Sequence, residues 1–279
     1  MTHQLKLGYS PCPNDTFIFY ALAHRKIDLD ALRFTVSLAD VEVLNHQAGN
    51  GLLDVTKVSV HAVVHLLDHY WLLGSGGAIG RGCGPLVVAR QPIAADDLRD
   101  KTVAVPGAMT TAHLLLGLTG LHRGKCVVMP FDRIMPAVAQ GEVDAGVIIH
   151  EGRFTYGSFG LNLVLDLGSW WEKTTGLPLP LGGILIRRDL GRDLARRVEA
   201  LIRSSLVFSR RFPDEAWPYI RENAREMEDE VMRRHIEMFV NEFSLDAGLE
   251  GKAAIRYMLK AASEYLNLAV PAKLLFWDD

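Results

Sequence analysis

The chain has 279 residues, 49% apolar and 23% charged, enough for one large domain or two of ordinary size around a full core. A formal net charge of −3, with both signs mixed along the chain, excludes the basic footprint of a nucleic-acid binder. No apolar run reaches the roughly 18 residues of a membrane span, because the best candidate, Ala62 to Ile79, is interrupted by His65, Asp68 and His69.

In chain order, Leu5-Lys6-Leu7-Gly8-Tyr9 reads as a strand, Ser10-Pro11-Cys12-Pro13 as a turn, and Asn14-Asp15-Thr16 as the polar start of an apolar helix. Gly51-Leu52-Leu53-Asp54-Val55 leads into a second strand ending at Lys57-Val58-Ser59. The glycines of Gly74-Ser75-Gly76-Gly77 and Gly80-Arg81-Gly82-Cys83-Gly84 predict a flexible loop; they match neither a P-loop nor a dinucleotide fingerprint. Pro85-Leu86-Val87-Val88-Ala89 follows as a β-rich segment expected to cross between lobes. The opening pattern then recurs: strand Thr102-Val103-Ala104-Val105, turn Pro106-Gly107, and Thr110-Thr111 before the helical Ala112-His113-Leu114-Leu115-Leu116. The second pattern recurs as well, with Gly141-Glu142-Val143-Asp144-Ala145 entering Gly146-Val147-Ile148-Ile149-His150. Gly183-Ile184-Leu185-Ile186 is the second expected crossing strand.

The last third is helical, with Leu194, Val198, Leu201, Ile202 and Leu206, then Ile255, Met258, Leu259, Ala262 and Leu266, at helix spacing. Phe212-Pro213-Asp214 is a stop and a new start, and Glu226-Met227-Glu228-Asp229-Glu230 is a solvated face. These signals predict an α/β protein of two lobes about a central cleft. A discontinuous first domain (1–87 plus 187–279) carries an inserted second one (88–186), joined by two hinge strands.

Ligands of open α/β sheets bind beyond the carboxyl ends of the strands, so candidate residues are sought there. Thr110 and Thr111 either cap a helix alone or also help its free N–H groups hold an oxygen-rich ligand. Lys57 and Ser59 end a strand at the expected cleft, where Lys57 binds a ligand oxygen or snorkels to solvent. His150 follows a buried strand; a histidine there is a structural hydrogen-bonding residue or a general base, since histidine titrates near about 6.5. Glu151 and Arg153 share the ambiguity of Lys57, ligand contact or solvent exposure, and Cys12 is a packed turn residue or a nucleophile paired with His150. His61, His65 and His69 recur at helix spacing without a carboxylate ligand set, so no metal is expected. Three cysteines, Cys12, Cys83 and Cys126, form neither a disulfide framework nor a metal pattern. Met1-Thr2-His3-Gln4 enters a strand directly, which predicts a cytoplasmic protein with a small-molecule ligand and no nucleic-acid, membrane or obligate protein partner.

The segments Ser10-Pro11-Cys12-Pro13-Asn14-Asp15-Thr16-Phe17, Lys57-Val58-Ser59, Pro106-Gly107 with Thr110-Thr111-Ala112, and Gly146 to Phe154 together resemble the 1,4-dihydroxy-6-naphthoate synthase family of the futalosine route to menaquinone. The resemblance runs from about residue 5 to the final helices and departs at Ala108-Met109, where relatives are more polar. It implies a fold like the type II periplasmic binding proteins. It also implies a lyase that splits cyclic dehypoxanthinylfutalosine into 1,4-dihydroxy-6-naphthoate and dihydroxyacetone without metal or organic cofactor. Matched by position, the family's proton acceptor falls on His150 and its substrate contacts on Lys57, Val58, Ser59, Thr110 and Thr111. The competing expectations are a non-catalytic solute-binding protein, a ligand-sensing domain of a transcription regulator, and the sister chorismate dehydratase of the same pathway.

Overall fold

The computed structural model describes residues 3–225, 228–269 and 274–279; Met1-Thr2 and the Glu226-Met227 part of the charged run lie outside them. The chain opens with β1 (His3–Tyr9), α1 (Pro13–Ala23), β2 (Leu32–Leu38), α2 (Val41–Gly49), β3 (Val55–Ser59), α3 (Val60–Val63) and β4 (Tyr70–Gly80). It continues through β5 (Leu86–Ala89), β6 (Val103–Val105), α4 (Thr111–Leu118), β7 (Cys126–Val128), α5 (Phe131–Gln140), β8 (Ala145–Ile148), α6 (Gly152–Thr155), β9 (Asn162–Asp166) and α7 (Leu167–Thr175). It closes with β10 (Leu179–Arg187), α8 (Arg192–Arg211), α9 (Pro213–Asn223), α10 (Asp229–Phe239), α11 (Glu242–Leu245) and α12 (Gly248–Tyr265).

The strands form two five-stranded sheets, ordered β2-β1-β3-β10-β4 and β7-β6-β8-β5-β9. In each, the first three strands are parallel and the last two antiparallel to their neighbours. The sequence repeat therefore has a structural counterpart: β1 corresponds to β6, β2 to β7 and β3 to β8.

Two expectations are corrected. The segments expected to cross between lobes each lie within one sheet, β5 in the second and β10 in the first. The chain passes between sheets just before each of them, at 81–85 and through α7 and residues 176–178. The glycine-rich stretch from Gly74 is not a loop but the second half of β4. It stays paired with β10 through register shifts at Pro180/Gly182 and Gly182/Ile184, the bulged geometry that glycine admits in a strand. Gly76 itself has φ +79°, which costs glycine little and would strain any other residue.

One buried cluster joins β1, α1 and β10 to α8, α9 and α10, with Leu7, Phe19, Ile184, Ile202 and Ile220 among its members. α8 ends at Arg211 and α9 begins with Pro213 in its first turn, at the expected stop. A second cluster runs from Val58, Val63 and Leu72 of the first unit through Met258 and Leu259 of α12 to Leu115 and Trp171 of the second. The two units therefore share apolar packing on the side of α3, α4, α7 and α12. The outer face of the second sheet has its own core around Val88, Ile134, Val138 and Ile148.

Candidate active site

The carboxyl ends of β1, β3, β6 and β8 converge on one cleft. It is lined by Ser10, Asn14, Asp15, Lys57, Ser59, Thr110, Thr111 and His150 from those strand ends, with Leu181 and Gly182 of β10 and His235 and Phe239 of α10. Strand alternation decides which residues of β3 face it. Lys57 and Ser59 line the cleft, whereas Val58 points the other way into the apolar cluster shared by the two units. Val58, a contact implied by the resemblance, is therefore not among the residues that line the cleft.

Lys57 is almost fully buried, with its Nζ 2.7 Å from Asp15 Oδ1 and 3.3 Å from the carbonyl of Gly76. Room for its stem depends on Gly182, where a Cβ would lie 2.8 Å from Lys57 Cε. Asp15 also accepts from the backbone N–H and hydroxyl of Ser10, at 3.2 and 2.7 Å, and from Asn14 Nδ2 at 2.9 Å. The lysine is thus the charge partner of a buried carboxylate, and it does not snorkel to solvent. Ser59 is held by Asn45, which accepts from the Ser59 N–H at 2.9 Å and donates to its hydroxyl at 3.3 Å.

The Thr110 hydroxyl donates to the carbonyl of Gly107 at 2.8 Å and accepts from the N–H of His113, capping α4. The Thr111 hydroxyl donates to the carbonyl of Leu181 at 2.7 Å and accepts from the N–H of His61 at 3.3 Å, tying α4 to the first unit. Both hydroxyl protons are therefore engaged by protein. What α4 offers the cleft is its first-turn N–H groups, with the positive end of the helix dipole behind them. At the Ala108-Met109 turn, Met109 donates its N–H to Glu42 at 3.0 Å, so a side chain of the first unit supplies the polar partner.

His150 has φ +55°, a left-handed conformation that costs roughly 1–2 kcal/mol in a non-glycine residue and that histidine adopts more readily than most. Its ring meets the edge of Phe131 at 4.9 Å, stacks on His235 at 6.0 Å and lies 3.6 Å from Cys12 Sγ. Burial, with the Glu151 charge adding to it, pushes the Cys12 thiol well above its ordinary range. Cys12 is consequently a neutral thiol beside His150 and not an activated nucleophile. Arg153 does not line the cleft; it pairs with Asp166 at 2.6 Å and donates to the carbonyl of Gly84, bracing the first passage between sheets.

Sequence reasoning singled out Asn14 and Asp15 as a helix start and missed Asn45 and His235. His235 Nε2 lies 3.0 Å from Asn14 Oδ1. Burial, then the neighbouring His150 and Lys57, holds the His235 pKa well below the ordinary histidine value, so the ring is neutral. Its only sequence signal is that His235 shares a helix face with Val231, Met232 and Phe239, all buried.

Residues 5–264 match the family described as menaquinone biosynthesis. The chain belongs to that family. Two of its relatives are the proteins named 1,4-dihydroxy-6-naphtoate synthase from Thermus thermophilus, 51% identical over 96% of this chain and 97% of that one, and from Streptomyces coelicolor, 48% identical over 96% and 95%. A crystal structure of an Archaeoglobus fulgidus protein superposes with a TM-score of 0.88 at 38% identity, covering 95% of this chain and 99% of that one. The periplasmic aliphatic sulphonate binding protein of Escherichia coli is similar in fold, with a TM-score of 0.66 at 13% identity over 96% and 88%. This member of the menaquinone-biosynthesis family thus has the two-lobed architecture of periplasmic binding proteins.

Proposed function

We propose that this chain is a 1,4-dihydroxy-6-naphthoate synthase, a cytoplasmic lyase that cleaves cyclic dehypoxanthinylfutalosine to 1,4-dihydroxy-6-naphthoate and dihydroxyacetone. It needs neither metal nor organic cofactor, and His150 is its proton acceptor. The observation that carries this reading is the placement of His150. It stands immediately beyond the end of β8, on a left-handed backbone, lining a cleft together with the start of α4 from its own unit and with Lys57 and Ser59 from the other.

Each part of that cleft supplies what carbon–carbon cleavage requires. The first-turn N–H groups of α4 hold an oxygen-rich, carboxylate-bearing substrate. His150, flanked by the edge of Phe131 and the neutral thiol of Cys12, takes a substrate proton as the bond breaks. Fixed donors about the cleft stabilise the oxyanion that develops, and their preorganisation means no dipole must turn during the reaction. Closure of the two units removes water from the reacting atoms.

Incubation of purified protein with cyclic dehypoxanthinylfutalosine, followed by mass spectrometry, tests the reading, which expects stoichiometric naphthoate and dihydroxyacetone. Tight binding of the intact compound with no conversion would mean that the chain keeps the behaviour of a solute-binding protein. Conversion of chorismate instead would assign it the sister reaction.

A further inference from the structure

Beside His150, the cleft contains one buried hydrogen-bonding atom without a partner among the described residues, Nδ1 of His235. The residue is 1% exposed and lines the cleft. Its protonation pattern follows from a chain of contacts that begins at an ion pair. Lys57 neutralises Asp15, the Asp15 carboxylate accepts from Asn14 Nδ2, and the Asn14 amide is thereby oriented with Oδ1 outward. Oδ1 only accepts, so His235 Nε2, 3.0 Å away, must carry the ring proton. In a neutral ring that leaves Nδ1 as a bare acceptor, and burial favours the neutral ring. Glu151 Oε2 lies 3.9 Å from Nδ1, beyond hydrogen-bond reach and itself an acceptor. A buried acceptor and a partly exposed one stand side by side with no hydrogen bond between them.

We propose that His235 is a substrate-binding residue whose Nδ1 accepts a hydrogen bond from a hydroxyl of the bound ligand, with Glu151 accepting beside it. The inference rests on the function proposed above and extends it by orienting the substrate. A carboxylate brings only acceptors and is refused at this corner, so it goes to the N–H groups at the start of α4. The hydroxyl-bearing, sugar-derived end goes to His235 and Glu151, against the face of His150. An unpaired buried acceptor discriminates strongly, because a ligand lacking the hydroxyl leaves it unsatisfied.

Two substitutions separate this role from a structural one. His235→Gln places an amide nitrogen near Nε2 and keeps the donor to Asn14, but leaves nothing at the Nδ1 position. His235→Asn places an amide oxygen near Nδ1 and gives up the bond to Asn14. Calorimetry in a His150→Asn background, where binding is read without turnover, compares cyclic dehypoxanthinylfutalosine with naphthalene-2-carboxylate, which has the carboxylate and rings but no hydroxyl. The expected result is that His235→Gln weakens the hydroxylated compound roughly 5- to 100-fold, the range for a lost hydrogen bond at a buried site. Binding of naphthalene-2-carboxylate stays the same, and His235→Asn comes back to within about threefold of the parent. Equal weakening of both compounds by His235→Gln, or rescue by Gln and not by Asn, overturns the proposal and leaves His235 a packing residue. A parent that binds the hydroxylated compound without wild-type turnover fails the reaction alone; a parent that does not bind it overturns both readings.

Discussion

Two side chains carry the residue-scale consequences. His150 is expected to be dispensable for folding, since among the described residues its ring meets a ring edge, a ring stack and a thiol and holds no salt bridge. His150→Ala should keep its unfolding midpoint and its affinity while turnover falls by roughly 10²–10⁴-fold, the usual contribution of a positioned base. Near-normal turnover in a folded variant would remove His150 as the base. Lys57 behaves in the opposite way, because its ammonium is the counter-charge of a carboxylate buried beneath it. Lys57→Met should cost about 3–5 kcal/mol in urea unfolding, since it leaves Asp15 charged, buried and without its cation. Adding Asp15→Asn should recover part of that loss, and a Lys57→Met variant as stable as the parent would show that solvent reaches Asp15. In the sequence Lys57 reads as a strand end at the cleft that binds a ligand oxygen or snorkels to solvent; only the fold, which lays β10 and its Gly182 over the lysine stem, makes it the partner of a buried carboxylate.

At the scale of elements, the contact between α3 and the start of α4 contains a titratable group with a definite sign. His61 is 5% exposed, its Nδ1 lies 3.1 Å from the carbonyl of Thr110, and its Nε2 has no partner among the described residues. Burial lowers its pKa to about 4. A histidine depressed in the folded state binds its proton more readily when unfolded, so stability is complete above about pH 6.5 and is lost as pH falls toward 4. Between pH 7.5 and 5 the loss should be about 2 kcal/mol, from roughly 1.4 kcal/mol per pH unit below the unfolded pKa. His61→Asn keeps a donor for Thr110 without the titration, and denaturant melts at the two pH values should show its acid loss smaller by that amount. Identical acid losses in the two proteins would show that His61 is hydrated.

The paired strand–turn–helix units were legible because each repeats the same local chemistry: an apolar strand, a turn rich in proline or glycine, then polar residues that cap. The strand β4 was not legible, because its glycines signal a loop locally and become a strand only through long-range pairing with β10. His235 was hidden for a related reason. Its role is set by Asn14, 221 residues away in sequence, and no periodicity encodes that distance.

For the whole molecule, the two kinds of contact between the units predict where the cleft opens. On the side of α3, α4, α7 and α12 the units share an apolar core, whose separation would expose buried Leu115, Trp171 and Met258. That cost, about 25 cal/mol per Å² of apolar surface, makes this side the pivot. On the other side, the turn before α1, Arg225 after α9, and α10 face the second unit through Cys12 with His150, Arg234 over the Phe154 ring at 4.6 Å, and an Arg225–Asp132 ion pair with the guanidinium also over Phe131. The two arginine contacts are exposed and individually worth little, so this side is the mouth. Cys12 sits in that mouth and is buried in this structure, so a change in its alkylation rate reads the opening directly. Peptide mapping after iodoacetamide should show Cys12 modified faster in the free protein than with cyclic dehypoxanthinylfutalosine present, while buried Cys83 stays slow in both states. Asp132→Ala should raise the free-protein rate at Cys12 by about two- to fivefold, the effect of releasing a contact worth up to about 1 kcal/mol. If ligand leaves the Cys12 rate unchanged while Asp132→Ala raises the Cys83 rate, the mouth and the pivot are the other way round.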